Sequence, residues 1–230
     1  MIGFMESPEK VAKMIDHTNL KPDATLDDIE NLCQEAKKYG FASVCVNPSN
    51  VRLAAELLKD ENINVCAVVG FPLGANTSKI KFFEAKDAVE SGASEIDMVM
   101  NIGALKSGLD ENVKEDINGV VAAANGCIVK VIIETGLLSD DEIMHATGII
   151  KDSQANYIKT STGVGYEGAK LEDIRLIKKT AGSSLKIKAS GGINNLKTTL
   201  DMIKAGSSRI GTSSGVRIME ESIRVSNNKI

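Results

Sequence analysis

Short runs of β-branched and apolar residues alternate with longer segments in which apolar residues recur three and four apart, from one end of the chain to the other. The runs are MIDHT (14–18), ASVCVN (42–47), VCAVVGF (65–71), SEIDMVM (94–100), IVKVIIE (128–134), NYIKTS (156–161), KIKAS (186–190) and SRIGTS (208–213). Each predicts a strand. Between them, LDDIENLCQEAKKYG puts Leu26, Ile29, Leu32 and Cys33 on one helical face and ends on Gly40 as a stop. The segments 78–92, 113–126, 139–152 and 171–182 read as helices too, several opening on Ser or Asp and closing on Gly. Eight strands alternating with helices over 230 residues predict a single (βα)8 TIM barrel covering residues 1–230. The competing doubly wound open sheet fits less well, because the units form one unbroken series with no Pro/Gly/Ser-rich linker.

Barrel chemistry gathers at the C-terminal ends of the strands, which directs attention to polar residues late in apolar runs: Asp16, Asn47, Asp97, Glu134, Lys159, Ser161, Lys188, Ser190 and Ser213. Lys159 and Lys188 stand on consecutive strands. If both point inward, two ammonium groups share one pocket and disfavour each other's charge, so that one amine loses its proton nearer neutral pH and can attack a carbonyl. Asp97, read as the acid of an otherwise apolar strand, serves either as counter-ion to these lysines or as a proton relay, and the two roles are compatible. Lys130 and Lys186, taken alone, read as strand-end lysines reaching back to water.

Gly163, the pair Gly191 and Gly192, and Ser213-Ser214-Gly215 follow three successive strands and precede helices, leaving backbone N–H groups free to cradle a phosphate. Residues 163–168, GVGYEG, match the dinucleotide pattern G-x-G-x-x-G, but the next strand, KIKASGG, lacks the acid that would hold a ribose. His17 and His145 show no metal-ligand spacing, so no metal is expected. His17 reads as a structural histidine that could also line the pocket, and Cys45 and Cys66 as core residues.

Composition narrows the partners. A net charge of −4 with no long Lys/Arg run argues against nucleic acid, and the longest apolar runs fall far short of the roughly 20 residues that span a bilayer. Cys33, Cys45, Cys66 and Cys127 are widely spaced, and MIGFMESPEK shows no signal-peptide pattern, so a reducing cytoplasm is expected.

The set MIDHTNL, SVCVNP, GFPLG, EIDMVMNIGALKSG, VKVIIETG, YIKTSTG, KASGGI and RIGTSSG closely resembles the deoxyribose-phosphate aldolase family of class I aldolases, from about Met14 to Val216. The resemblance implies a barrel that reversibly cleaves 2-deoxy-D-ribose 5-phosphate to D-glyceraldehyde 3-phosphate and acetaldehyde, without cofactor. By it, Lys159 forms a Schiff base, Lys188 keeps the nucleophile's pKa low and joins Asp97 in proton transfer. It also implies that Asp16, Asn19 and Cys45 line the pocket, that Thr162 contacts substrate, and that Gly163, Gly191, Gly192, Ser213 and Ser214 cradle the phosphate. Some members carry a lysine directly after the TSTG glycine, where Val164 stands here. A homo-oligomer, dimer or tetramer, is expected. The alternatives are another lysine-dependent phosphosugar aldolase, a metal-free sugar-phosphate isomerase, or a catalytically silent phosphate-binding barrel.

Overall fold

Strands of a parallel barrel are covered on both faces, which is why these runs are apolar at successive positions instead of strictly alternating. The computed structural model describes residues 7–228. Along them run α1 (Pro8–Ala12), β1 (Ile15–Asn19), α2 (Leu26–Tyr39), β2 (Ser43–Val46), α3 (Val51–Leu58), β3 (Asn64–Val69), α4 (Ser78–Glu90), β4 (Glu95–Val99) and α5 (Ile102–Lys106). Then follow α6 (Asp110–Ala123), β5 (Ile128–Ile132), α7 (Asp140–Lys151), β6 (Tyr157–Lys159), α8 (Leu171–Ala181), β7 (Lys186–Ser190), α9 (Leu196–Ala205), β8 (Arg209–Thr212) and α10 (Gly215–Asn227). The strands pair in chain order, all parallel, and β8 pairs with β1, so the expected barrel closes. No helix among the described residues is long and apolar enough to cross a membrane.

Local chemistry sets the element ends. Thr25 caps α2 in a capping box with Asp28, and Gly40 ends it at φ 69°, the left-handed stop anticipated from the sequence. Ser139 and Glu142 form the same box at α7. Strands are shorter than the apolar runs because the chain turns before the runs end: Gly70 (φ 64°) follows β3, and Glu134 (φ 54°) stands two residues beyond β5. Helices α1, α3, α5 and α9 lie outside the segments read as helical. α10 continues through residues 225–227, and of the C-terminal segment only residues 229 and 230 fall outside the described residues, as do residues 1–6 of the N-terminal stretch.

Side chains alternate across each strand, and the two faces differ sharply. Outward residues such as Val44, Val65, Ile96, Met98, Val131, Ile158, Ile187 and Ile210 join one large apolar core beneath the helices. Inside the barrel the apolar cluster is small: Cys45, Cys66 and Val68, with Leu20 and Phe71 against them. The rest of the lumen is ionic, in contrast to the branched aliphatic layers typical of such barrels.

A second buried ion pair ties the outer layer to the barrel. Lys81 of α4 is fully buried, donating to Asp116 of α6 at 2.5 Å and to the carbonyl of Val99 at 2.9 Å. Lys81→Met would strand the Asp116 carboxylate and should cost about 3–5 kcal/mol, read as a lower urea midpoint. Adding Asp116→Leu should recover much of it; a single-variant loss below about 1 kcal/mol would show the pair to be unimportant.

Candidate active site

Alternation aims Asp16 (β1), Glu95 and Asp97 (β4), Lys130 (β5), Lys159 (β6), Lys188 (β7) and Arg209 (β8) into the lumen, and register sets their height. Asp97 pairs across the ladder with Lys130, and Lys159 with Lys188. Gly211 of β8 makes room for the crossing, since a Cβ there would sit 3.0 Å from both Lys188 Cε and Ser190 Cβ.

Asp97 is the hub. Its Oδ2 accepts from Lys159 Nζ and from Lys188 Nζ, each at 2.7 Å, and its Oδ1 accepts from Lys130 Nζ at 2.8 Å and from Cys66 Sγ at 3.1 Å. A lower tier holds this arrangement. Lys188 Nζ lies 2.5 Å from Asp16 Oδ2, Lys130 Nζ lies 2.5 Å from Glu95 Oε2, and Arg209 bridges Asp16 and Glu95 at 2.6–2.7 Å. Burial alone would push the Asp97 carboxyl up, but Lys130, Lys159 and Lys188 hold it well below the usual carboxylate range. Burial would likewise push Lys188 down, yet Asp16 and Asp97 raise it above the usual lysine range, so it stays an ammonium. Lys130 is raised in the same way, with Asp97 outweighing burial.

Above this network opens a cavity of about 820 Å³, within the range of small-molecule sites. Lys159 is the member of the ionic cluster that reaches its wall. Asn19, Thr162, Gly163, Gly191, Gly192, Ser213 and Ser214 also line it, as the sequence led us to expect, together with Val164, Ser190 and the α2 residues Asp28 and Glu35. Asp97 and Lys188 lie directly beneath. Asp16 and Cys45, expected on the pocket wall, do not reach it: both are fully buried below the floor, Asp16 holding Lys188 and Arg209, Cys45 packed beside Cys66.

Other expectations change in detail. Lys130 does not reach for water; it sits mid-strand on the inner face, fully buried among carboxylates. Lys186, at the start of β7, is exposed, its ammonium 5.5 Å from the Tyr157 ring centroid. Glu95 is a second acid in the same strand as Asp97, two residues earlier and therefore on the same face. Glu95 and Arg209 carry no reading from the sequence, although the period of two that places Lys159 inward places them inward as well. His17 is both structural and pocket-lining: buried, it has Nε2 2.7 Å from Glu35 Oε2, and burial pushes its pKa down against the pull of Glu35.

The glycine match GVGYEG does not open a helix, since α8 begins only at Leu171. Gly163 and Gly165 both take φ 82°; a Cβ on Gly163 would lie 3.7 Å from Gly191 Cα, whereas Gly165 turns in open space. Gly168 is more than a turn residue: a Cβ there would come within 2.3 Å of the Gly191 carbonyl oxygen, so glycine lets the two loops cross. Cys45, Cys66 and Asp97 offer donor atoms within 4.8 Å of one another, but a metal cation there would have to displace the ammonium groups already on Asp97.

The family model described as DeoC/LacD family aldolase matches residues 10–221. A deoxyribose-phosphate aldolase from Carboxydothermus hydrogenoformans is 54% identical over 220 residues, 94% of this chain and 96% of that one. Among solved structures, the aldolase QR15 superposes with a TM-score of 0.91 at 42% identity, covering 95% of this chain and 98% of its own. The tetrameric deoxyribose phosphate aldolase from Aeropyrum pernix gives 0.88 at 34% identity, covering 95% and 93%.

The buried charges predict a pH profile. Asp16 and Asp97 are lowered from 3.8, so the stability they contribute is present above that pH and lost as pH falls below it toward their folded values. Lys130 and Lys188 are raised from 10.5, so theirs is complete below that pH and lost as pH rises beyond it. Urea unfolding as a function of pH should therefore show an acid limb whose slope falls by about one proton in Asp97→Asn; an unchanged limb would show that Asp97 is not held as described.

Proposed function

The chain belongs to the DeoC/LacD family of aldolases, and from that premise we propose that it reversibly cleaves 2-deoxy-D-ribose 5-phosphate to D-glyceraldehyde 3-phosphate and acetaldehyde, through an imine on Lys159. The observation that carries this reading is Lys159 itself, an amine at the cavity wall joined to Lys188 through one carboxylate. Four cations, Lys130, Lys159, Lys188 and Arg209, face three carboxylates, Asp16, Glu95 and Asp97. With an uncharged amine at Lys159 the network is neutral, and that amine is a nucleophile.

Lys159 adds to the aldehyde carbon of the open-chain sugar, and loss of water gives a protonated imine. Removal of the 3-hydroxyl proton, through water or the Asp97–Lys188 pair, drives cleavage of the C2–C3 bond, its electrons passing into the imine. Glyceraldehyde 3-phosphate leaves, an enamine of acetaldehyde remains, and protonation at carbon followed by hydrolysis frees Lys159. Protein side chains and water supply every step. The phosphate, remote from the reacting carbons, is held by the Gly163, Gly191–Gly192 and Ser213–Ser214 loops at the start of α10, where N–H groups favour an anion. Lys21 and Lys159 are the cationic side chains on the cavity wall, which suits a phosphosugar. A metal-free isomerase would need a carboxylate beside the sugar carbons; the acids lining the cavity, Asp28 and Glu35, stand on α2, away from Lys159 in the chain and outside its network.

The four cysteines are free, as suits a reducing cytoplasm. We also infer a homo-oligomer, since Leu73, Ile80 and Phe83 around α4 are 52–67% exposed, an apolar face that a second copy would cover. Light scattering should report a mass above that of one chain, and Ile80→Glu with Phe83→Glu should lower it; a monomeric parent would contradict this.

Borohydride reduction with acetaldehyde should add the mass of one ethyl group to the peptide containing Lys159, and Lys159→Leu should fold yet lose activity. Absence of that adduct would refute the imine, and loss of folding would make the lysine structural. Turnover of deoxyribose phosphate should exceed that of ribose phosphate; the reverse would point to a different phosphosugar aldolase.

A further inference from the structure

Glu134 combines three features that the chemistry above does not use. Among the described residues it is one of two non-glycine residues with positive φ, the other being Asn125. Its side chain is buried, 2% exposed, and no lysine, arginine or histidine is paired with it among the described ion pairs. One carboxylate oxygen, Oε1, has no hydrogen-bond partner among the described residues. A buried carboxylate without a cation is costly, and a left-handed backbone at a side chain larger than glycine adds strain, so the residue is held there by what it contacts.

What it contacts is the TSTG loop. Glu134 Oε2 accepts from the Thr162 N–H at 3.0 Å and from the Thr162 hydroxyl at 2.5 Å. Thr162 Oγ1 in turn accepts from the Val164 N–H at 3.1 Å, closing a turn around Gly163. The left-handed step at Glu134 also carries the next residue into place, Thr135 N–H donating to the Thr160 carbonyl at 2.9 Å. Gly136 then lies against Glu167, where a Cβ would meet its backbone nitrogen at 3.1 Å. The loop after β5 thus grips the loop after β6 on either side of Gly163. Thr162 was expected to contact substrate. Its N–H and hydroxyl are instead committed to Glu134, although the residue lines the cavity.

We propose that Glu134 is a positioning residue for the phosphate: through Thr162 it fixes the turn at Gly163, and so sets the affinity for the phosphorylated end of the substrate without taking part in chemistry at Lys159. This rests on the phosphosugar reading above and deepens it. Glu134 Oε2 takes up the Thr162 donors, and the turn it holds puts Gly163 on the cavity wall. With Val164 next to Gly163, the cradle is shaped by a rigid turn and backbone dipoles.

The test compares deoxyribose 5-phosphate with unphosphorylated deoxyribose in parent, Glu134→Ala, Glu134→Gln and Thr162→Val. For Glu134→Ala and Thr162→Val, KM for the phosphate ester should rise roughly tenfold or more, the scale of one or two lost hydrogen bonds, with kcat changed less than about threefold. Cleavage of deoxyribose and acetaldehyde trapping on Lys159 should change little. Glu134→Gln, which keeps an oxygen acceptor of the same shape, should restore most of the affinity. If Glu134→Ala fails to fold, Thr162→Val alone decides. A parallel fall in both substrates, or in kcat with KM unchanged, would overturn the proposal. A parent enzyme that does not prefer the phosphate ester would instead overturn the phosphosugar reading.

Discussion

Everything at the centre of this barrel depends on one carboxylate serving three lysines. Asp97 is fully buried and ionised because Lys130, Lys159 and Lys188 surround it, and those lysines can be buried because Asp97, Asp16 and Glu95 answer their charge. Removing Asp97, Lys130 or Lys188 leaves an uncompensated charge in a medium that solvates it poorly, whereas Lys159, at the cavity wall, can be replaced without unbalancing the other three cations and three carboxylates. The network also fixes geometry. Each amine is tethered from its own strand to a shared acceptor, and strand register therefore becomes side-chain position to within a hydrogen-bond length.

The tiers divide the labour. Arg209, Glu95 and Lys130 sit lower in the lumen and touch no cavity surface; they hold Asp16 and Asp97 in place. Asp97 and Lys188 form the floor. Lys159, at the end of β6, faces the cavity. The loops beyond add a second rigid unit, in which Gly168 and Gly191 cross at close range and Glu134 clamps Thr162. On the function proposed above, one unit prepares an amine and the other receives an anion, and the short chain from Lys159 to Gly163 connects them.

Much of this was legible in the chain. Eight apolar runs in unbroken series gave the barrel, and the position of Lys159 and Lys188 in consecutive runs gave their adjacency. Glycines after three successive strands gave the loops that line the cavity. What escaped were properties set by depth. Asp16 and Cys45 share a face with cavity residues but lie one tier lower, and a period of two specifies face, not height. Lys130 looked like a strand-end lysine because nothing in IVKVIIE reveals the acids that surround it from two other strands. Strand ends were misjudged at Glu134 because a left-handed glutamate carries no sequence signal comparable to a glycine. Gly168 stood out only as part of the GVGYEG match, because close approach of two loops is a tertiary fact.

The central claim is that Lys159 carries the substrate while the loops after β6, β7 and β8 hold its phosphate. A crystal structure of the protein reduced with borohydride in the presence of 2-deoxy-D-ribose 5-phosphate tests it most directly. Continuous density from Lys159 Nζ to the sugar, with the phosphate against Gly163, Gly191, Gly192, Ser213 and Ser214, is the predicted result. A covalent link at any other lysine, or a phosphate bound away from those loops, would contradict it.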